Sequence, residues 1–81
     1  MRPDDVCREY SGRVIKLIIR NLDDDLVLVE GTAETLEFFG KLLLAQSRAQ
    51  DDGFEISPNG PGAYFFDPAS EKGVYIHRLD E

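Results

Sequence analysis

The sequence is poor in the residue types that most often reveal a function. Its 81 residues include one cysteine, one histidine, one methionine and no tryptophan. Cys7 has no second cysteine with which to form an intrachain disulfide, which fits a reducing, cytoplasmic environment. No metal-ligand spacing and no cofactor fingerprint is present. We therefore expect no bound metal and no cofactor.

Long apolar runs and an excess of positive charge are also missing. Residues 1–10 lack the apolar centre of a signal peptide, and no stretch approaches the roughly 18 apolar residues of a transmembrane helix. Nine lysines and arginines face sixteen aspartates and glutamates, and the formal net charge is -7. This charge opposes phosphate groups, so we expect neither a nucleic acid nor a membrane as a partner.

What the sequence does contain is one long helical pattern, over residues 32–50. Thr32 suits the N-cap position, and Asp51–Gly53 ends the helix, with Gly53 as a left-handed terminator. At 100° per residue, one half of the helix is apolar and the other half is charged, which is typical of a helix that lies on a sheet. The apolar half contains Leu36, Phe38, Phe39, Leu42, Leu43, Ala45 and Ala49.

Two residues depart from this division of the helix. Leu44 lies within the polar half, and Gly40 lies mid-helix, where glycine costs about 1 kcal/mol relative to alanine. Both residues are candidates for close contact with another surface. The alternative is that Leu44 is an ordinary exposed leucine and that Gly40 accommodates packing within the chain.

Short β-branched and aromatic runs flank the helix on both sides. Runs of this kind, bounded by Gly, Pro, Asn and Asp, are typical of strands. Asn21–Asp25 is predicted to be a turn that joins the first two strands into an antiparallel hairpin. The predicted strands cover residues 13–20, 26–30, 54–56, 63–66 and 74–79.

The element order ββαβββ predicts the fold class α+β. We expect an antiparallel sheet of four or five strands with one amphipathic helix packed across one face. This single domain spans residues 13–81, and residues 1–12 form a loosely ordered N-terminal leader that docks through Val6 and Tyr10. The residues expected under the helix are Ile15, Leu17, Ile19, Val27, Val29 and the aromatic pairs near Phe65.

Three features that resemble sites are better explained by structure. The glycines of Ser57–Gly62 suit a phosphate cradle, but the loop has two prolines without amides and no P-loop Lys-Ser/Thr, so a turn is predicted. His77 has no identifiable nucleophile or orienting carboxylate, and we expect it to be structural or partner-facing. Cys7 has only Arg8 beside it to lower its thiol pKa. We therefore predict that the protein is not an enzyme.

Acidic residues cluster at several points of the chain. Asp23, Asp24 and Asp25 lack the alternate spacing, the central glycine and the closing glutamate of a calcium loop, so a solvated hairpin tip is predicted. Together with Glu34 and Glu37 they are candidate contacts for a basic protein, whose association such charges accelerate. The alternative is an acidic surface that only keeps the protein soluble.

A resemblance to a known family lies in residues 26–45, which read Leu-Val-Leu-Val-Glu-Gly-Thr-Ala-Glu-Thr-Leu-Glu-Phe-Phe-Gly-Lys-Leu-Leu-Leu-Ala. This unit resembles a small immunity-protein family of bacterial polymorphic toxin systems. That family joins a valine-rich strand to a Gly-Ser/Thr-Ala segment and a leucine-rich helix, and closes with a strand similar to Gly73–Arg78. The resemblance implies a non-enzymatic protein that binds and blocks a cognate toxin, and it assigns no functional residue by position.

Charge and resemblance together favour a cytoplasmic, acidic protein-binding domain, in particular an immunity protein that neutralises a basic toxin. The alternative is a self-associating structural or regulatory module, a homodimer formed through Leu44, Gly40 or an uncovered sheet edge. The candidate partner-binding residues are Asp23, Asp24, Asp25, Glu34, Glu37 and Leu44.

Overall fold

The computed structural model describes residues 1–50 and 53–79. Its elements are α1 (Pro3–Tyr10), β1 (Ile18–Asn21), β2 (Val27–Glu30), α2 (Ala33–Arg48), β3 (Gly53–Ile56) and β4 (Val74–His77). The α+β class is confirmed. The strands pair as β1 with β2 and β3 with β4, both antiparallel, so they form two separate two-stranded sheets instead of the predicted single sheet of four or five.

The long helix begins as predicted, because the Thr32 side chain accepts a hydrogen bond at 3.2 Å from the backbone N–H of Thr35. Its predicted end at Asp51 and Asp52 lies outside the described residues. Gly53 is the first residue of β3, and its φ is not positive, so the prediction of a left-handed terminator there is wrong.

The predicted strand at residues 63–66 forms one turn of 3-10 helix with a short extended end. Gly62 starts this turn, since its φ of 72° lies in the left-handed region that glycine adopts without strain. The amide of Phe65 then donates back to the Gly62 carbonyl at 2.9 Å. Only Phe66 keeps a strand-like contact, a parallel bridge to Leu17, and this contact joins the segment to the chain leading into β1.

Residues 1–12 differ from the expected loose leader, because they contain α1. The side chain of Asp5 accepts a hydrogen bond at 3.0 Å from the backbone N–H of Arg2, and proline occupies the first turn, where its missing N–H costs nothing. Val6 and Tyr10 are fully buried. The docking contacts expected of these two residues are therefore confirmed, and the segment that carries them is a helix packed on α2.

The core lies between the two helices, β1 and the chain around Phe65. Ile15, Leu17 and Ile19 are buried, as predicted. Val27 and Val29 were expected there too, but they are 59% and 37% exposed. The reason is that the hairpin extends past the core, so that its outer strand β2 has no buried residue. The core side chains are Val6, Tyr10, Ile15, Leu17, Ile19, Phe38, Leu42, Ala45, Ile56, Phe65 and Phe66.

Candidate functional site

Helix α2 is apolar on two opposite sides. The inner side carries Phe38 and Leu42, which are fully buried. At 100° per residue, Gly40 lies directly opposite the midpoint of these two side chains and so at the centre of the side that faces away from the core. We call that side the outer face; it consists of Ala33, Leu36, Gly40, Leu43, Leu44 and Ser47.

The outer face exposes three leucines. Leu44 is 56% exposed, which confirms its predicted position away from the core. Leu36 and Leu43 were expected in the core half, but each is 45% exposed. Their placement was wrong because the elements around α2 cover a narrower stripe of the helix than one half. A surface helix normally carries polar residues opposite its core stripe, so three half-exposed leucines on that side are unusual.

Gly40 has no role in packing within the described part of the chain. A Cβ atom built on this glycine meets no atom within 4 Å. Glycine in a helix interior costs about 1 kcal/mol relative to alanine, and no close contact within residues 1–50 and 53–79 compensates this cost. The absence of a side chain here leaves the centre of the outer face flat.

The charges of α2 lie to one side of the outer face, on the flank next to α1. There the Glu34 carboxylate pairs with Arg13 at 3.2 Å, and Lys41 pairs with Glu9 at the same distance. The guanidinium carbon of Arg13 also lies 4.5 Å from the centroid of the Tyr10 ring. The candidate partner contact Glu34 therefore already has a partner within the chain.

Glu37, another candidate contact, is also used inside the molecule. Its Oε1 accepts a hydrogen bond from the Tyr10 hydroxyl at 2.6 Å. This bond, followed by the nearby charge of Lys41, lowers the pKa of Glu37, and the same bond raises the pKa of Tyr10. The bonds that Lys41 makes to Tyr10 and to Glu9 raise the pKa of its ammonium group. No sequence pattern signals this cluster, since its members come from two helices that only folding brings together.

The three aspartates Asp23, Asp24 and Asp25 form the tip of the hairpin, as predicted. Oδ1 of Asp23 accepts hydrogen bonds from the backbone N–H of Asp25 at 2.8 Å and of Leu26 at 2.9 Å, so this side chain stabilises the turn. The tip is separated from the start of α2 by the length of β2, about 13 Å at 3.3 Å per residue. Tip and helix carboxylates therefore belong to two surfaces.

The groups considered for chemistry lie on different parts of the fold, with Cys7 on α1 and His77 on β4. Burial, followed by the charge of Asp4, raises the pKa of Cys7 to about 11, so its thiol is protonated at neutral pH. His77 is exposed on β4, with its ring centroid 6.3 Å from that of Tyr75. The Ser57–Gly62 loop is a turn, as predicted, and the Ser57 amide is bonded to the carbonyl of Pro61.

Residues 1–50 and 53–79 contain no group of three His, Cys, Asp or Glu side chains that is placed to hold a metal ion. Neither helix in this part of the chain has the length and apolar character needed to cross a membrane. Comparisons with protein-family models, curated proteins and solved structures find no match to this chain. The resemblance to immunity proteins therefore stays a prediction.

Proposed function

We propose that this chain is a non-enzymatic protein-binding domain that associates with a second copy of itself through the outer face of α2. The observation that carries the proposal is the position of Leu36, Leu43 and Leu44, each about half exposed, on the side of α2 opposite its buried stripe. Apolar side chains on such a face leave water when two helices pack, and each buried methylene contributes about 0.8 kcal/mol.

The spacing of small residues along the outer face suits two antiparallel helices. Ala33, Gly40 and Ser47 recur every seven residues. With a two-fold axis at Gly40, Ala33 of one copy meets Ser47 of the other, and the two glycines face each other. Leu36 then lies beside Leu44 of the second copy. Small residues at the crossing allow the helix axes to approach closely, and the leucines fill the space on either side.

The helix dipoles and the net charge act in opposite directions on this arrangement. An antiparallel pair places the positive end of each helix dipole beside the negative end of the other, which is favourable. The net charge of -7 on each copy acts against association. Added salt screens this repulsion, so we expect the dimer to become more stable as ionic strength rises.

The size of the outer face sets the expected affinity. A helix of 16 residues is about 24 Å long. A single pair of such helices buries less than the roughly 1,200 Å² found in most stable interfaces. We therefore expect a reversible dimer, with a dissociation constant in the micromolar range or above, rather than an obligate dimer.

Sedimentation equilibrium over about 1 μM to about 1 mM tests this proposal. The average mass of the parent should rise with concentration, whereas Leu43→Glu should remain a monomer, because it places a charge in the apolar contact. Leu22→Glu is the matched control, since Leu22 is similarly exposed at 53% but lies on the hairpin. A parent that stays monomeric at the highest concentration in about 0.5 M salt would overturn the proposal. Equal loss of association in the control would overturn it as well.

A second candidate function is the binding of a basic protein. The neutralisation of a basic toxin is the specific case of this function. The observation that favours it is the exposed acidic tip at Asp24 and Asp25, on a chain with a net charge of -7. Such a tip attracts a cationic surface from a distance and speeds its association. Here the expected contacts are Asp24 and Asp25 rather than Glu34 and Glu37, because the latter two have partners within the chain.

The test for this second function is binding to the purified product of the neighbouring gene, compared between the parent and the double variant Asp24→Asn, Asp25→Asn. Asparagine preserves the size of each side chain and removes only its charge. We expect the variant to bind more slowly and the parent to bind less tightly as salt is added. Failure of any basic neighbouring product to bind at low salt would remove the support for this function.

A further inference from the structure

The two edges of the β1–β2 hairpin differ in how their backbone groups are bonded. At the β1 edge, the N–H of Ile19 donates to the Ser70 hydroxyl at 2.9 Å. The carbonyl of Ile19 accepts from the amides of Glu71 at 3.1 Å and Lys72 at 2.9 Å. The chain after the 3-10 turn thus closes this edge of the hairpin.

The β2 edge is open. Ile19 lies opposite Val29 in the antiparallel register, and its backbone groups point away from β2. Residues opposite each other in such a pair both point inward or both point outward, so the N–H and C=O of Val29 point away from β1. The N–H and C=O of Val27, which lies two residues before Val29 and opposite Asn21, also point away from β1. No group among residues 1–50 and 53–79 makes a hydrogen bond to these outward atoms.

The side chains along this open edge are apolar and exposed. Val27 is 59% exposed and Val29 37%, and Leu26 just before them is 54% exposed. Natural proteins usually protect an edge strand with a lysine, a proline or a bulge. β2 has no lysine, proline or bulge, so that only its length of four residues and the charge of Glu30 protect it. An edge of this kind is suited to accept one more strand.

The charges at the two ends of the open edge indicate which kind of strand it would bind. Asp23, Asp24 and Asp25 lie at one end of the open edge and Glu30 lies at the other. A second copy of the chain carries the same acidic ends and the same net charge of -7, which disfavours pairing of two β2 edges. A basic extended segment places its cations against these carboxylates and its apolar side chains beside Val27 and Val29.

We propose that the open edge of β2 binds an extended, basic segment of a partner protein by strand addition. The segment alternates apolar residues, which pack beside Val27 and Val29, with lysines or arginines near Asp24, Asp25 and Glu30. Backbone hydrogen bonds to the two outward valines supply affinity, and the charges supply the direction of approach. This inference rests on the second function proposed above, the binding of a basic protein, and gives that function a site.

The test uses a synthetic eight-residue peptide of alternating lysine and valine, titrated into the isotopically labelled full chain. Amide resonances of Val27 and Val29 should shift, and their hydrogen exchange should slow when the peptide is bound. A peptide of the same sequence, N-methylated at alternate residues on its pairing edge, cannot form the added ladder. We expect it to bind at least about tenfold more weakly. Addition of salt should weaken the binding of the unmethylated peptide.

Two variants of the chain distinguish the effect of the β2 edge on peptide binding from the effect of the overall charge. Val27→Lys adds a positive charge on the open edge, and Val14→Lys adds the same charge at a 77% exposed valine outside the hairpin. We expect Val27→Lys to lower the affinity for the peptide at least about fivefold and Val14→Lys to lower it less than about twofold.

Two outcomes would overturn strand addition. One is the absence of any shift at Val27 and Val29 at about 1 mM unmethylated peptide. The other is equal binding of the methylated and unmethylated peptides with a dependence on Asp24 and Asp25 alone, which indicates contact with the acidic tip. The second outcome overturns the site on β2 and leaves the binding of basic proteins standing. That function is decided separately, by the measurement on the neighbouring gene product.

Discussion

The inner and outer sides of α2 are both apolar, yet they differ in what covers them. Phe38 and Leu42 on the inner side are fully buried, and Phe38 stacks between Tyr10 and Phe65 with ring centroids 5.3 and 4.4 Å away. Leu43 and its neighbours on the outer side keep about half of their surface in water. Apolar periodicity therefore indicates which side chains are suited to burial, and only the packed structure shows which of them remain exposed.

The largest expected difference between the two sides is in stability. Phe38→Ala removes an aromatic ring that is enclosed on all sides, and we expect it to lower the free energy of unfolding by about 3–5 kcal/mol. Leu43→Ala at a concentration where the protein is monomeric should lower it by less than about 1 kcal/mol. Urea unfolding followed by circular dichroism measures both. Similar losses for the two variants would show that the outer side is covered in the monomer.

Gly40→Ala separates the stability of the monomer from its association into a dimer. The new Cβ meets no atom within 4 Å, so the monomer should gain about 1 kcal/mol from the higher helix propensity of alanine. The same Cβ lies at the proposed two-fold axis and keeps the helices apart, so the dimer should weaken. Thermal unfolding and sedimentation report the two effects independently. A less stable monomer would mean that Gly40 has a role within the chain.

The smallest effect is expected at the boundary between the two sides, where Glu37 accepts the Tyr10 hydrogen bond. Because this bond lowers the pKa of Glu37 below its ordinary value of 4.5, the ionised carboxylate stabilises the folded state above that pH. The stabilisation is lost as the pH falls through the lowered value. Glu37→Gln should therefore lower the Tm at pH 7, and its difference from the parent should shrink as the pH falls below 4.5 and through the lowered pKa.

The control for this measurement is Glu34→Gln. Glu34 forms an exposed ion pair with Arg13, in which both side chains keep over 40% of their surface in water. Pairs of this kind contribute little, so the Tm of the control should stay close to that of the parent across the pH range. A pH dependence of the same size in both variants would assign the effect to net charge rather than to the Tyr10 bond.

The elements with strong local signals were predicted well from the sequence. The N-cap at Thr32, the hairpin turn at Asp23–Asp25 and the strand at Val27–Glu30 depend on neighbours a few residues away. The 3-10 turn after Gly62 was mistaken for a strand, because aromatic residues are common in strands and a single glycine with positive φ redirected the chain.

The candidate site was only partly predictable, since it depends on what packs where. The exposure of Leu44 followed from its position on the helix, but Leu36 and Leu43 were assigned to the core because both sides of α2 are apolar. The helix at residues 3–10 was missed because its eight residues are too short to be stable alone, and it depends on contacts of Val6 and Tyr10.

The α+β class, the long helix and the acidic charge follow from the sequence alone, because each depends on composition or on contacts close along the chain. The packing of the elements determines which apolar stripe of α2 enters the core, that Glu34 pairs with Arg13 and Glu37 with Tyr10, and that β2 keeps an open edge. These features depend on the relative placement of elements distant in sequence. Burial is a property of that placement rather than of any single residue.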